Sequence, residues 1–373
     1  MKNSLNVRIV SLRLGGVAPF EDGATLSFVA SKERSGRQQL YIVPRFRMSL
    51  LPQLAIFGGA GSGKTTLVKA LAAIFETVRE ATFAPLQGLK PRSEMALVSV
   101  SIVIAVDDRL YEYVVALQGG SVVKEALVSA KTTKDEVLFL VEADGTAPIV
   151  VPTLVTASNL LSRIDKARGE DIEAIVRALC GAIFFDPLDI LSNREITVRK
   201  SLFSIVVPFL EVITPNSIDF LKSLIKSSRH GENSLGDSNQ GDADGDSAIL
   251  SLKALSTSEA TLVALSFILG SQIAGDRSGV VVIDNFDCLL DFRITSFILG
   301  KIDENIEKDT LKSIILVMKD TVFFDQSFFR RDQLVLVGGK GGNSSVTSLA
   351  EISELRYDRD VRKMYINRLF DSL

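Results

Sequence analysis

Gly58-Gly59-Ala60-Gly61-Ser62-Gly63-Lys64-Thr65 combines the backbone freedom and the side chains needed to wrap a phosphate. Glycines let successive N–H groups turn inward around an anion. A lysine next to the last glycine can reach the outer phosphates of a nucleotide. The hydroxyl after it can ligate the metal ion that travels with them. Lys64 and Thr65 hold those two places, and Gly58, Gly61, Ser62, Gly63 and Thr66 complete the expected binding set. A second group, Val280-Val281-Val282-Ile283-Asp284, is an apolar run ending in an acid. A carboxylate there can hold the metal's water shell.

The surrounding elements suit both groups. Leu51–Phe57 reads as a short apolar strand running into the glycines. Thr65–Arg79 has helical spacing, with Leu67, Ala70, Leu71 and Ile74 on one face. The start of that helix adds its own positive end. The pattern is therefore a P-loop with the right element on each side, and it implies ATP with Mg²⁺, bound through Thr65 and Asp284.

Composition bounds the rest. The 373 residues are 46% hydrophobic and 23% charged, with a net charge of −3. That is the balance of a globular chain with a large core. No global positive field points to nucleic acid, which only a local basic patch would then serve. Two lone cysteines, Cys180 and Cys288, form neither a disulfide framework nor a zinc site and fit a reducing cytoplasm. No apolar run suggests a membrane span.

Four segments are expected. Residues 1–150 form a lobe with antiparallel strands, among them Val7–Leu14, Ala24–Val29, Val98–Val106, Arg109–Leu117 and Val137–Val141, and the P-loop. Residues 151–247 form a helical lobe, with helices over Ser158–Gly181 and Ser201–Ser227, ending in a Gly/Ser/Asp linker at 228–247. Residues 248–340 continue the core: a helix over Ala248–Gly270, the Asp284 strand, a helix over Leu290–Asn305, and strands at Ser313–Met318 and Gln333–Val337. Residues 341–373 are a tail. Asp242, Asp244 and Asp246 imitate the start of a calcium loop, but Ser247 and Lys253 stand where glycine and glutamate are required. That stretch and the lone His230 read as solvated linker.

Leu255-Ser256-Thr257-Ser258-Glu259 precedes the helix leading to the Asp284 strand. Locally it suits an ordinary serine N-cap with Glu259 in the first turn. It also resembles the ABC signature Leu-Ser-Gly-Gly-Gln/Glu, with Thr257 and Ser258 in place of the glycines, and its position favours that reading. The long separation of Lys64 from Asp284 speaks against a small-molecule kinase.

Taken together, the chain resembles compact ABC-type ATPases of the SMC/RecF/OLD-like group. The nearest likeness is to the AAA-named ATP-binding proteins of bacterial abortive-infection and other anti-phage modules. Ile9–Leu14 through Phe20, the hairpin residues Leu110–Tyr113 and Val123–Leu127, and Arg330–Gln333 with Gly342, Ser344, Ser348-Leu349 and Tyr365 follow the family order. The resemblance implies an α/β P-loop NTPase with an ABC-type head and an inserted helical lobe. It also implies ATP-driven pairing into a homodimer or heterodimer of heads, Ser256 and Ser258 meeting the partner's nucleotide, and an effector nuclease as client. In that family the metal-binding Asp is followed by Glu and a later strand ends at His. Here Asn285 and Lys319 stand at those places, so the hydrolytic set is degenerate. Asp287 or Glu259 is the remaining candidate base. The alternative is a RecF/SMC-like DNA-maintenance ATPase.

Overall fold

The computed structural model describes residues 5–20, 24–32, 40–93, 96–130, 135–143, 149, 152–154, 166–210, 247–274, 280–339, 343–352 and 360–367. The linker reading at 228–246, with His230 and the three aspartates, lies outside them. So do Gly342 and most of Ser31–Gln39, the start of Ser158–Gly181 and the end of Ser201–Ser227. The chain divides into two compact units. The first comprises Met1–Phe184, Ser278–Asp284 and Lys312–Leu373; the second comprises Phe185–Arg277 and Asn285–Leu311.

The first unit holds two six-stranded sheets. One has the order β2-β1-β6-β7-β8-β9, built from β1 (Val7–Gly15), β2 (Ala24–Ser27), β6 (Val98–Val106), β7 (Arg109–Gln118), β8 (Ser121–Ala130) and β9 (Glu136–Glu142). All its pairings are antiparallel. β6 and β7 join at Asp107-Asp108, where Asp107 adopts φ 51°. Small hairpin strands β3 (Tyr41–Val43) and β4 (Met48–Leu50) lie between these in sequence.

The second sheet runs β10-β13-β14-β5-β15-β16, with β5 at Gln53–Phe57, β10 at Ile183–Phe185, β13 at Val280–Ile283, β14 at Ser313–Val317, β15 at Leu334–Gly338 and β16 at Ser345–Ser348. β13, β14, β5 and β15 pair in parallel. Every residue of β5, β13 and β14 is buried. Parallel strands covered on both faces read as continuous apolar runs, and these do. Helix α1 (Lys64–Glu80) contributes Leu67, Ala70, Leu71, Ile74 and Val78 to the same core as Leu54 and Ile56. The short α2 (Ala84–Gln87) and α3 (Lys166–Cys180) also belong to this unit.

The second unit contains α4 (Asp189–Ser192), the antiparallel strand pair β11 (Glu195–Arg199) and β12 (Ser247–Ser251), α5 (Phe203–Val206), α6 (Thr257–Ile273) and α7 (Phe292–Glu307). A Cβ on Gly270 of α6 would lie 2.9 Å from Val206 Cγ2, so the missing side chain lets α5 pack closely. The short α8 (Val361–Ile366) closes the described chain. Two expectations are corrected. Ala248–Gly270 is not one helix: Ser247–Ser251 is a strand, because Leu250 pairs with Ile196 of β11, and the helix starts only at Thr257. The partner strand β11 lies within residues 151–247, after the helices α3 and α4 in sequence. The described start of Ser201–Ser227 breaks into short turns around Pro208, which cannot continue a helix interior. No described helix is long and apolar enough to cross a membrane.

Candidate functional site

The P-loop connects β5 to α1 within the first unit. Gly61 and Gly63 take φ of +76° and +99°, a region L side chains avoid. Gly58 is constrained differently: a Cβ there would lie 2.2 Å from the Val337 carbonyl oxygen and 2.6 Å from Ser62 Oγ. The edge of β15 thus walls the entry to the loop. The turn before β2 walls its exit, since a Cβ on Gly63 would meet Pro19 and Phe20 at 3.0 and 3.1 Å. Gly63 caps α1 without a side-chain hydrogen bond, so the first-turn N–H groups have no competing side-chain oxygen from their cap.

Lys64 is 8% exposed, and its ammonium bends back to donate to the carbonyls of Gly58 and, at 2.9 Å, Gly59. It therefore lies across the loop it belongs to. Ser62 Oγ is buried without a hydrogen-bond partner among the described residues. Thr65 is exposed and Thr66 half-buried. Glycines at positive φ, a buried ammonium lying across the loop and the Ser62 hydroxyl without a partner among the described residues all fit a polyphosphate anion.

Sheet register places the other first-unit groups. Ile283 pairs with Leu316, and Leu316 with Ala55. One residue on, Asp284 is level with Val317 and Ile56. β14 intervenes, so the Asp284 backbone lies about 10 Å from the P-loop strand, two strand spacings. Lys319, exposed, emerges from β14 level with Gly58, between the two. Among the described residues no cluster of three or more His, Cys, Asp or Glu could hold a metal alone. Mg²⁺ does not need one: a carboxylate, a hydroxyl and substrate phosphates suffice, and Asp284 with Thr65 fits that donor set.

The remaining site residues belong to the second unit. Asn285 takes φ 50° and donates from Nδ2 to Asp186 Oδ2 at 2.8 Å. The other Asp186 oxygen accepts from the Leu188 N–H at 2.9 Å. Ser256 caps α6 in a full capping box: its Oγ accepts from the Glu259 N–H, and Glu259 Oε2 accepts from both the Ser256 N–H and hydroxyl. Glu259 is thus committed to the cap, while Asp287 is buried. Ser258 Oγ donates to the Leu289 carbonyl at 2.8 Å. Arg194 donates to the Leu255 carbonyl and to Thr257 Oγ1, both at 2.9 Å. Sequence reading missed Val337, Asp186 and Arg194, because only folded pairing brings them to these positions.

Residues 54–195 match the family model described as ATPase family associated with various cellular activities (AAA). Among solved structures, the SMC head domain from Thermotoga maritima aligns with a TM-score of 0.43 and 14% identity, over 91% of this chain and 98% of that one. The structure of cbiO1 from Clostridium perfringens, part of the ABC transporter complex cbiONQ, aligns at 0.36 and 14%, covering 96% of each. No curated protein sequence matches. With a glycine-rich phosphate loop between a parallel strand and its helix, an antiparallel sheet before it and a second unit interrupting the core in sequence, the chain has the mixed α/β fold of a P-loop NTPase.

Proposed function

We propose that this chain is an ATP- and Mg²⁺-binding head that pairs with a second head on binding nucleotide and hydrolyses it slowly or not at all. The observation carrying this reading is Asn285. It follows the metal-binding Asp284, where a water-polarising glutamate would stand, and its amide is engaged by Asp186. An amide can orient a water molecule but cannot take its proton at neutral pH. Loss of general-base help costs a factor of about 10²–10⁴ in rate.

The roles follow from chemistry. The N–H groups of Gly61–Thr66 bind phosphate oxygens, and the Lys64 ammonium offsets the charge of the β- and γ-phosphates. Thr65 and Asp284 hold the metal, which when bound acts as a Lewis acid on the phosphates. Lys319 holds the γ-phosphate by charge. Ser256, Ser258 and the N-terminus of α6 meet the nucleotide of the other head, in a homodimer or heterodimer. Slow turnover keeps that pair closed. The resemblance to anti-phage ATPases makes a neighbouring cytoplasmic effector nuclease the client, released or restrained by the state of the head.

Single-turnover ATP hydrolysis alongside light scattering, with and without duplex DNA, tests this. A doubling of mass with MgATP, slow turnover and indifference to DNA is expected. A chain that stays monomeric at saturating ATP defeats the pairing. Turnover stimulated by DNA would assign it instead to DNA maintenance.

A further inference from the structure

We infer that Arg194 is a positioning residue for nucleotide-driven pairing, aiming the N-terminus of α6; this rests on the function proposed above. Three observations within the second unit support it. First, the guanidinium forks. Nη1 donates to the Leu255 carbonyl and Nη2 to Thr257 Oγ1, one on each side of the capping residue Ser256. A planar fork held at two points fixes direction as well as distance, which a single-point contact cannot do. Second, the Arg194 backbone is itself anchored. Its carbonyl accepts from the Leu252 N–H at 2.7 Å, at the end of the β11–β12 strand pair, and the Leu252 carbonyl accepts from the Leu255 N–H at 3.1 Å. Strand pair, turn and helix start are tied into one piece. Third, helix polarity disfavours a cation beside a helix N-terminus, so helix stability does not account for Arg194.

The altered signature residues then acquire a purpose. Thr257 stands where the family motif has glycine, and its hydroxyl is the second anchor of the fork. Ser258, at the other glycine place, is bonded to Leu289. The turn is held by side chains, and pre-organisation of this kind lowers the ordering cost of association.

The test uses the full chain with Thr257→Val, Thr257→Ser, Arg194→Lys and Arg194→Ala. Fluorescent ATP binding at dilute protein reads the P-loop alone. Sedimentation with MgATP reads pairing, and thermal midpoints check folding. Thr257→Val keeps the side chain's shape without the acceptor, and Arg194→Lys keeps the charge without the fork. Both should bind nucleotide within about twofold of the parent yet pair about tenfold more weakly, the loss expected for a hydrogen bond to a charged group. Thr257→Ser should pair like the parent. Parental pairing by the Val and Lys variants, or a Ser variant as weak as Val, overturns the role of Arg194 and leaves the proposed function standing. A parent that never pairs defeats the function itself and the inference with it.

Discussion

At the scale of single residues, Asn285 concentrates the physical questions. Its φ of 50° lies in the left-handed region, which Asn tolerates better than most residues because its short amide bonds locally. Its Nδ2 faces a carboxylate, Asp186. On the function proposed above, introducing an acid by Asn285→Glu alone would set one carboxylate against another and disfavour ionisation of both. Combining it with Asp186→Asn relieves the repulsion. We expect the single variant to hydrolyse ATP no faster than the parent. The double variant should gain at least tenfold in single-turnover rate, against a ceiling of about 10²–10⁴ for a well-placed base. A longer side chain at this φ also costs about 1–2 kcal/mol, visible as a lower thermal midpoint. An unchanged rate in a folded double variant would locate the defect beyond the base, at Lys319 or the α6 turn.

At the scale of elements, the antiparallel sheet is held by a buried acid. Glu125 on β8 is fully buried; it accepts from Tyr113 Oη at 2.9 Å, from the Thr153 N–H at 2.7 Å and from the Leu154 N–H at 3.2 Å. Tyr113 on β7 pairs with Leu127, so Glu125 is its diagonal neighbour on the same face. Burial first, then the adjacent carboxylate, push the Tyr113 phenol well above its ordinary value, so it remains a donor at any working pH. Glu125→Ala strands these donors and should cost about 2–4 kcal/mol in denaturant unfolding, while Tyr113→Phe, with two donors left, should cost about 1 kcal/mol. Equal losses would mean the Thr153 and Leu154 contacts contribute nothing. The P-loop, its strand and its helix were legible because glycines, lysine and apolar spacing act locally. The β6–β7 hairpin was legible from its alternation and the Asp107-Asp108 turn. β12 was misread as helix, since its partner β11 lies far off in the chain and only pairing selects period two over the apolar run that follows. Asp186, Arg194 and the Val337 carbonyl carry no local signal at all.

At the scale of the whole molecule, the two units are interleaved in sequence but unequal in chemistry. The P-loop, Asp284 and Lys319 lie in the first unit, while the capped helix α6, Asn285 and Arg194 lie in the second. A ligand that binds only folded chain stabilises it by RT ln(1 + [L]/Kd), about 2.7 kcal/mol at a hundred times Kd. For a unit of this size that corresponds to a rise of roughly 5 °C in melting temperature. Calorimetry with MgATP should therefore raise the transition that contains the first unit. Lys64→Ala should abolish the rise, because the cradle loses the ammonium that lies across Gly58 and Gly59 while every core contact of α1 remains. The same variant should melt close to the parent without nucleotide, since the bonds it loses to Gly58 and Gly59 are to half-exposed and exposed loop residues. A parent whose melting temperature ignores saturating MgATP would leave the phosphate cradle without a ligand, and the changes at Asn285 and Lys319 would then have no bearing on hydrolysis.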